Sequence, residues 1–301
     1  MIMEKTFKSI IELINTFDSE QKCIDFLEAK RWGGKVASPF DSQSKVYKLS
    51  NNWYKCKSTG KFFNVKTGTL FSESKLSLQT WFTAIYLIVT SKKGISSCQL
   101  AIQLHVTQKT AWFIAQRIRK CLGAENESIL SKKVEVDEAY FGGVTTKDKY
   151  KKNVQGRSLS HKVPVLGMIQ RSGKVVAKVI QDASSKSIMP NITKYIKKDS
   201  TIISDKWPAY NNVKNNYIPQ TVTHSNKEYD ETKYIEGFWS IVKRGFLGTY
   251  QYISPKHLQL YIDEFVFRYN TMKQSVSDRF YHFFNNMTVR TTYYKLKLCL
   301  D

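Results

Sequence analysis

The sequence contains few cysteines and no arrangement that would pair them. The five residues are far apart and never form a CxxC pair; they are Cys23, Cys56, Cys98, Cys121 and Cys299. Neither a disulfide framework nor a complete zinc site is therefore indicated. The pattern suits a reducing compartment, in which each cysteine serves as a small apolar residue.

Long apolar runs, secretory signals and Pro-rich or Ser-rich linkers are also missing. The longest apolar run, WFTAIYLIV at residues 81–89, is shorter than the roughly 18 to 20 residues of a membrane span. It predicts a buried helix. The first residues, MIMEKTFKSIIELINTF, are amphipathic and lack the apolar core and cleavage site of a secretory signal. We expect an intracellular protein without a membrane partner, acting in the nucleus of a eukaryote or in the cytoplasm of a bacterium.

Acidic residues are scarce relative to basic ones. The chain of 301 residues has 47 Lys and Arg against 25 Asp and Glu, a difference of 47 − 25 = +22 that is spread along the sequence. A polyanionic partner is expected, and nucleic acid is favoured over an acidic membrane or a ribosome. Because 38 of the basic residues are Lys and only 9 are Arg, we expect contacts to the phosphate backbone to dominate over base readout.

The sequence pattern divides the chain into three stretches. Residues 1–76 begin with a helical segment and continue through NNWYKCKSTGKFFNVKTGTLF, which is typical of short strands and turns. Residues 77–125 contain three helical patterns, with Ser77, Ser96 and Thr107 at predicted N-caps. Leu100, Ile102 and Leu104 are predicted to pack the second helix. Two short helices joined by a tight turn predict either a helix-turn-helix or a plain helical hairpin.

The third stretch, residues 131–301, opens with KKVEVDEAYFGG, a predicted strand. Alternation places Val134, Val136 and Glu138 on one side and Glu135, Asp137 and Ala139 on the other. The order that follows is a hairpin, a helix and an apolar strand that ends at Asp205. The segment DETKYIEGFWSIVKRGFLG then shows a helical pattern, whose apolar stripe is predicted to consist of Ile235, Phe238 or Trp239, Val242 and Phe246. The same pattern places Glu236 and Lys243 two turns apart on one face.

Carboxylates from two strands and a helix, beside a surface that binds DNA, point to metal-dependent phosphodiester chemistry. Two divalent ions about 4 Å apart can activate a hydroxyl nucleophile and stabilise the leaving oxygen. Hard cations such as Mg²⁺ require oxygen ligands, which Asp and Glu supply. On the residues alone, Glu135, Asp137 and Glu138 remain equivalent candidates, and a surface Glu and Lys on an ordinary helix is the competing interpretation of Glu236 and Lys243.

Three blocks occur in this order: VEVDEAYFGG, SDKWPAYNNV and HSNKEYDETKYIEGFWSIVKRGFLGTYQYISPKHLQLYIDEFVFRYN. Together they resemble the DDE transposases of the Merlin superfamily and their bacterial insertion-sequence relatives. The resemblance extends over nearly the whole chain from about residue 20. It implies an α/β catalytic domain with a ribonuclease H-like fold, a mixed sheet flanked by helices. A helix-turn-helix region and a degenerate zinc-ribbon-like segment would precede that domain.

The resemblance also assigns roles to individual residues. It implies that Asp137, Asp205 and Glu236 hold two Mg²⁺ or Mn²⁺ ions, and that Lys243 contacts DNA near the cut. His224 is an accessory candidate. The candidates for DNA contact are Gln108, Lys109, Thr110, Arg117, Lys243 and Arg244. Transposition joins two DNA ends, which implies a homodimer or larger assembly on the transposon ends and target DNA.

Two departures from the family pattern keep other functions open. Only Cys56 remains where relatives have CxxC pairs, so a bound zinc ion is not expected. Residues 231–233 are Glu, Thr and Lys, where relatives tend to have His, Thr and Asn. The alternatives are a non-catalytic DNA-binding protein derived from a transposase, and a nuclease of the same fold that cleaves DNA without joining it.

Overall fold

The computed structural model describes residues 5–142, 162–205, 216–221 and 232–298. The chain forms two compact units. The terminal unit comprises Met1–Leu122 together with Lys273–Asp301, and the central unit comprises Gly123–Met272. The two units differ from the three predicted stretches, because residues 273–301 cluster with the N-terminal part of the chain.

The helices and strands of both units follow in chain order. The α-helices are α1 (Ile10–Thr16), α2 (Glu20–Trp32), α3 (Leu78–Thr90), α4 (Ser97–Leu104), α5 (Gln108–Leu122), α6 (Ser185–Tyr195), α7 (Lys233–Gly245), α8 (Leu258–Asn270), α9 (Val276–Phe283) and α10 (Tyr293–Leu298). The strands are β1 (Val46–Lys48), β2 (Tyr54–Cys56), β3 (Phe62–Phe63), β4 (Lys133–Gly142), β5 (Lys162–Gln170), β6 (Val175–Val179), β7 (Thr201–Ser204) and β8 (Ile218–Thr221). Among these described helices, none is both long and apolar enough to cross a membrane.

Aromatic packing explains why the C-terminal residues join the terminal unit. The ring of Phe82 on α3 lies 4.9 Å from Phe17 and 5.1 Å from Phe284, measured between centroids. Phe280 on α9 lies 5.3 Å from Phe7. Rings at such separations pack edge to face and exclude water, so both ends of the chain share one core.

The predicted caps of the terminal helices are confirmed. The hydroxyl oxygens of Ser77 and Ser96 accept hydrogen bonds from the third residue of α3 and of α4, and Thr107 does the same before α5. These bonds satisfy amide groups that a helix start leaves without partners. The prediction that Ile102 packs α4 is wrong, because its side chain is 75 % exposed while Leu100 fills the core.

The short strands predicted in residues 1–76 form a three-stranded antiparallel sheet in the order β1-β2-β3. Its inner face buries Tyr54, Cys56 and Phe63 against Trp32. Across the described ranges, no group of three or more His, Cys, Asp or Glu side chains could hold a metal ion.

The central unit is built on a mixed five-stranded sheet in the order β6-β5-β4-β7-β8. Strands β4, β5 and β6 pair antiparallel, whereas β7 pairs parallel to β4 and β8 parallel to β7. The expected α/β class with a mixed sheet is therefore confirmed. The order of strand, hairpin, helix and strand predicted from the sequence is also the order observed.

Helices cover both faces of the central sheet. Val134 and Val136 of β4 face a core that includes Ile188 and Ile192 of α6. Ala139 and Phe141 belong to the opposite core, which α7 and α8 complete. The alternation predicted for this strand is therefore confirmed, and it places Glu135 and Asp137 on the side of α7.

Helix α7 approaches the sheet most closely at Gly167. This residue pairs with Asp137 across β4 and β5. A Cβ atom at position 167 would lie 2.4 Å from the Trp239 ring and 2.8 Å from the Ile235 side chain, both on α7. Glycine is therefore required here because a ring of the facing helix occupies the space of a side chain.

We expect Gly167→Ala to lower the free energy of unfolding by about 1–3 kcal/mol, because the added methyl group forces Trp239 and α7 away from the sheet. Urea unfolding measures the change. The matched control is Gly237→Ala, at an exposed position of α7 with no atom within 4 Å of the added carbon. That control should stabilise the helix by about 0.5–1 kcal/mol. Equal effects at the two positions would contradict the close approach.

Candidate active site on the central sheet

The two aspartates of the predicted site follow the register of two neighbouring parallel strands, with Asp137 inside β4 and Asp205 directly after β7. The pairs Lys133↔Thr201 and Glu135↔Ile203 give β4 and β7 a constant offset of 201 − 133 = 68 residues. Asp137 and Asp205 have the same offset, 205 − 137 = 68. Neighbouring strands run about 4.8 Å apart and side chains alternate between faces, so continuation of this register by two positions would bring both carboxylates to the same face of the sheet.

Glu236 lies in the first turn of α7, the helix that covers this face. The hydroxyl of Thr232, a buried residue at the N-cap, donates a 2.8 Å hydrogen bond to Oε1 of Glu236. Lys243 is exposed two turns further along the same helix. The predicted apolar stripe is confirmed, since Ile235, Phe238, Trp239 and Val242 are buried, and this burial turns Glu236 and Lys243 away from the core.

The pKa of the Asp137 carboxyl depends on its burial and on the charges of Asp205, Glu236 and Lys243. Burial is the main cause that raises the pKa of the Asp137 carboxyl to about 6. The negative charges of Asp205 and Glu236 act in the same direction, whereas a backbone hydrogen bond from Glu138 and the charge of Lys243 oppose the shift. Carboxylates that repel one another at neutral pH create a site that favours a cation.

Glu135 holds α7 against β4. Its side chain is fully buried, and its Oε2 atom accepts hydrogen bonds from the backbone N–H groups of Tyr234 and Ile235 at 3.1 and 3.0 Å. Its Oε1 atom accepts from Nε of Arg171 at 2.9 Å. A carboxylate at a helix N-terminus satisfies amides that lack a partner within the helix and interacts favourably with the helix dipole.

The three acidic residues of the strand therefore have different surroundings. Glu135 is used by α7 and Arg171, and Glu138 lies on the opposite face, toward α6. Asp137 is the acidic residue whose pKa responds to both Asp205 and Glu236. This geometry favours Asp137 over its two neighbours as a metal ligand, which alternation along the strand alone left open.

Sequence reasoning missed the roles of Glu135, Gly167 and Thr232. Gly167 carried a usable signal, because a glycine inside the β-rich run VPVLGMIQ often marks a close approach of another element. Glu135 carried none, since its partners are 99 and 100 residues away along the chain. His224 lies outside the residues that the structure describes.

The residues predicted to contact DNA in the terminal unit do not share one surface. Gln108 and Lys109 are exposed, and Thr110 is half-buried, in the first turn of α5. Arg117 is buried, and its guanidinium donates to the carbonyl oxygen of Ser72 at 2.8 Å and lies over the Trp81 ring. The prediction of a DNA contact by Arg117 is corrected, because this side chain supports the core of the unit.

The donors on the central sheet fit a hard divalent cation. Asp137, Asp205 and Glu236 offer oxygen atoms only, and their mutual repulsion would fall when a cation binds. In the ranges described, these side chains are not already gathered into a group of three at metal-binding distances.

Mg²⁺ should stabilise the native chain against unfolding, and Asp137→Ala should abolish that stabilisation. Asp137→Asn in the metal-free protein provides a sharper test. The folded carboxyl has a pKa of about 6, above its ordinary value near 4, so its charged form destabilises the folded state as pH rises from about 4 to about 6. Above pH 6 in EDTA, Asp137→Asn should raise the free energy of unfolding by about 1–3 kcal/mol. The gain should disappear near pH 4. A variant that is no more stable than the native chain at pH 7.5 would contradict the raised pKa.

Removing the Glu135 carboxylate should cost much more stability than removing its neighbour on the other face. We expect Glu135→Ala to lower the free energy of unfolding by about 2–4 kcal/mol, because it removes the ion pair with Arg171 and the acceptor of one buried and one half-buried amide. Glu138→Ala, the control on the same strand, should cost less than about 1 kcal/mol. Chemical unfolding of both variants makes the comparison, and similar losses would show that Glu135 does not hold α7.

Comparison with known proteins adds three findings. Residues 129–270 match the family model of the ISXO2-like transposase domain. A curated relative from Halobacterium salinarum, an uncharacterized protein in the transposable element ISH50, is 32% identical over 131 residues, which cover 42% of this chain and 44% of that protein. The chain thus matches less than half the length of this relative.

Solved structures with some likeness include two of the Mos1 transposase. The Mos1 mariner paired-end complex with Mn has 11% identity and a TM-score of 0.28, over 68% of this chain and 73% of that one. The Mos1 paired-end complex with the left transposon end has 11% identity and a TM-score of 0.27, over 96% and 95%. TM-scores this far below 0.5 do not establish a shared fold.

Proposed function

We propose that the chain is a DNA transposase, because residues 129–270 match the family model of the ISXO2-like transposase domain, in agreement with the transposase resemblance read from the sequence. It cleaves DNA at the ends of a mobile element and joins the freed ends to target DNA. In the first step, water attacks a phosphodiester phosphorus and the 3′ oxygen leaves. In the second, that 3′-hydroxyl attacks a target phosphodiester and displaces another 3′ oxygen. We expect this action inside the cell.

The observation that carries the proposal is the register of β4 and β7. Lys133 pairs with Thr201 and Glu135 with Ile203, and Asp137 and Asp205 continue the same offset of 68 residues two positions further on, which supports a shared site. Asp137 and Asp205 would hold both divalent ions, Mg²⁺ or Mn²⁺, and Glu236 would hold one. Such ions supply charge stabilisation for the attacking and leaving oxygens. The mixed five-stranded sheet with helices on both faces supports the ribonuclease H-like assignment.

Other residues of the central unit position these groups and the DNA. Thr232 donates to Glu236 and restricts the rotamer of that carboxylate. Glu135 fixes the start of α7, so that the first turn stays above Asp137. Lys243 and Arg244, both exposed in the last turn of α7, would contact phosphates of the DNA near the cut.

The terminal unit supplies a candidate for recognition of the element ends. Helices α4 and α5 are joined by three residues, and His105 among them has a positive φ of 52° that permits the tight turn. A helix-turn-helix would place the first turn of α5 in the major groove. Gln108, Lys109 and Thr110 are then the residues that would contact DNA. Because two ends must be joined, the active form would be a homodimer or larger assembly.

Cleavage and strand transfer on DNA with candidate element ends test the proposal. With Mg²⁺ or Mn²⁺ we expect the native chain to release a 3′-hydroxyl end and join it to a target plasmid. Asp137→Ala, Asp205→Ala and Glu236→Ala should each reduce both steps by more than the roughly 10- to 100-fold typical of residues that only orient metal ligands. Gly237→Ala, beside Glu236 at an open exposed position, should remain active.

The outcomes separate the alternatives. Activity that survives Glu236→Ala but not Asp137→Ala would overturn the assignment of the third ligand. Cleavage without joining would identify a nuclease. Tight binding to demonstrated ends, with no metal-dependent product from the native chain, would instead establish a DNA-binding protein derived from a transposase.

A further inference from the structure

The small sheet of the terminal unit has one covered face and one open face. Val46, Tyr54, Cys56 and Phe63 point inward, where they pack against Trp32 and Val36. Because side chains alternate along each strand, Tyr47, Lys55 and Phe62 point outward, whereas Lys48, paired with Tyr54, lies on the inner side. The apolar side chains that pack the sheet are buried on its inner face. The apolar residues of the outer face are exposed, and packing within the fold does not explain them.

The outer face carries aromatic rings next to lysines. The register aligns Tyr47, Lys55 and Phe62 in one row across the three strands. Trp53, two residues before Lys55, leaves the same face. Tyr47 is 41% exposed, Trp53 43% and Phe62 57%. We call this set of three rings, with the lysines at positions 45, 55 and 57, the outer face below.

The lysines lie close to the rings. Nζ of Lys45 is 5.4 Å from the centroid of the Tyr47 ring, and Nζ of Lys55 is 5.5 Å from that of Phe62. At the margin of the sheet, Nζ of Lys61 is 5.2 Å from the centroid of Phe40, which is also exposed. Tyr47, Phe62 and Phe40 therefore each have a cation beside the ring, within the distance at which a ring attracts a positive charge.

The charge of the outer face itself is positive, and the nearest acidic residue along the chain is Asp41, which accepts a 2.6 Å hydrogen bond from the Ser58 hydroxyl. Residues 43–63 contain five lysines and no Asp or Glu. Glu28, which accepts a hydrogen bond from the Tyr54 hydroxyl, approaches the sheet from the inner side. A patch with exposed rings and an excess of positive charge is complementary to a ligand that has both planar apolar surfaces and negative charges. Unpaired nucleotides combine these two properties.

We propose that the outer face binds a single-stranded segment of DNA, with bases stacked on Tyr47, Trp53 and Phe62 and phosphates beside the lysines. The proposal rests on the proposed function only in taking DNA as the substrate. A base can stack on a side chain only where it is not stacked within a duplex, so the outer face distinguishes unpaired from paired DNA. Such segments occur where a strand has been cut or displaced at an element end.

The test compares labelled DNA of two kinds by fluorescence anisotropy on the full chain. A thymidine oligonucleotide of about 15 nucleotides covers one such binding site. We expect it to bind more tightly to the native chain than a duplex of the same length does. The double variant Tyr47→Leu/Phe62→Leu keeps apolar area but removes the planar rings. It should weaken single-strand binding by about 10-fold or more and leave duplex binding within about 2-fold.

Two controls keep the result specific. Ile11→Ala changes another exposed apolar residue, on α1, and should leave both affinities unchanged. Because the replaced rings are exposed, thermal unfolding of the double variant should match that of the native chain. Unchanged single-strand binding in the double variant, or equal losses for single strand and duplex, would overturn the proposal.

The experiment also separates this proposal from the transposase proposal. Gly237→Ala, at an exposed position of α7 in the central unit, should bind the single strand as the native chain does. If the native chain cleaves DNA while the double variant binds the oligonucleotide normally, single-strand binding by the outer face is excluded and the transposase proposal stands. If the double variant loses single-strand binding while the native chain never cleaves demonstrated ends, the outer face stands and the transposase proposal fails.

Discussion

The buried carboxylate of Glu135 is the contact on which the geometry of the central unit depends. It joins the middle strand of the sheet to the start of α7 through two backbone amides, and to Arg171 after β5 through an ion pair. Each partner compensates the cost of burying a charge. The result is a helix whose first turn is fixed relative to the strand that carries Asp137.

The glycine opposite Asp137 completes this arrangement. Without a side chain at Gly167, the Trp239 ring rests on the sheet and α7 lies close to it. Polar contact at the start of the helix and close packing one turn later restrict both its position and its rotation. Glu236 is exposed because its neighbours on the helix are buried, and an exposed carboxylate above a half-buried one is suited to share a cation.

The candidate site contains carboxylates that repel one another, although the chain as a whole is strongly basic. The many lysines give the protein a net positive charge, yet the negative charges of Asp205 and Glu236 add to the main effect of burial in raising the pKa of Asp137. A fold selected only for stability would not place these groups together. A bound cation would relieve the repulsion between the carboxylates, and this links the site to metal-dependent chemistry.

The sequence by itself determined the local features of the protein. Serine caps, the alternation along β4 and the apolar stripe of α7 follow from short-range periodicity, and each was confirmed. Only the tertiary structure decided which partners distant residues would find. It showed that Glu135 caps a helix 99 residues away, that Arg117 is buried, and that residues after Lys273 pack with the N-terminal helices. The reason is physical: backbone patterns are set by near neighbours, whereas the register between strands and the packing of helices depend on contacts between residues far apart in the chain.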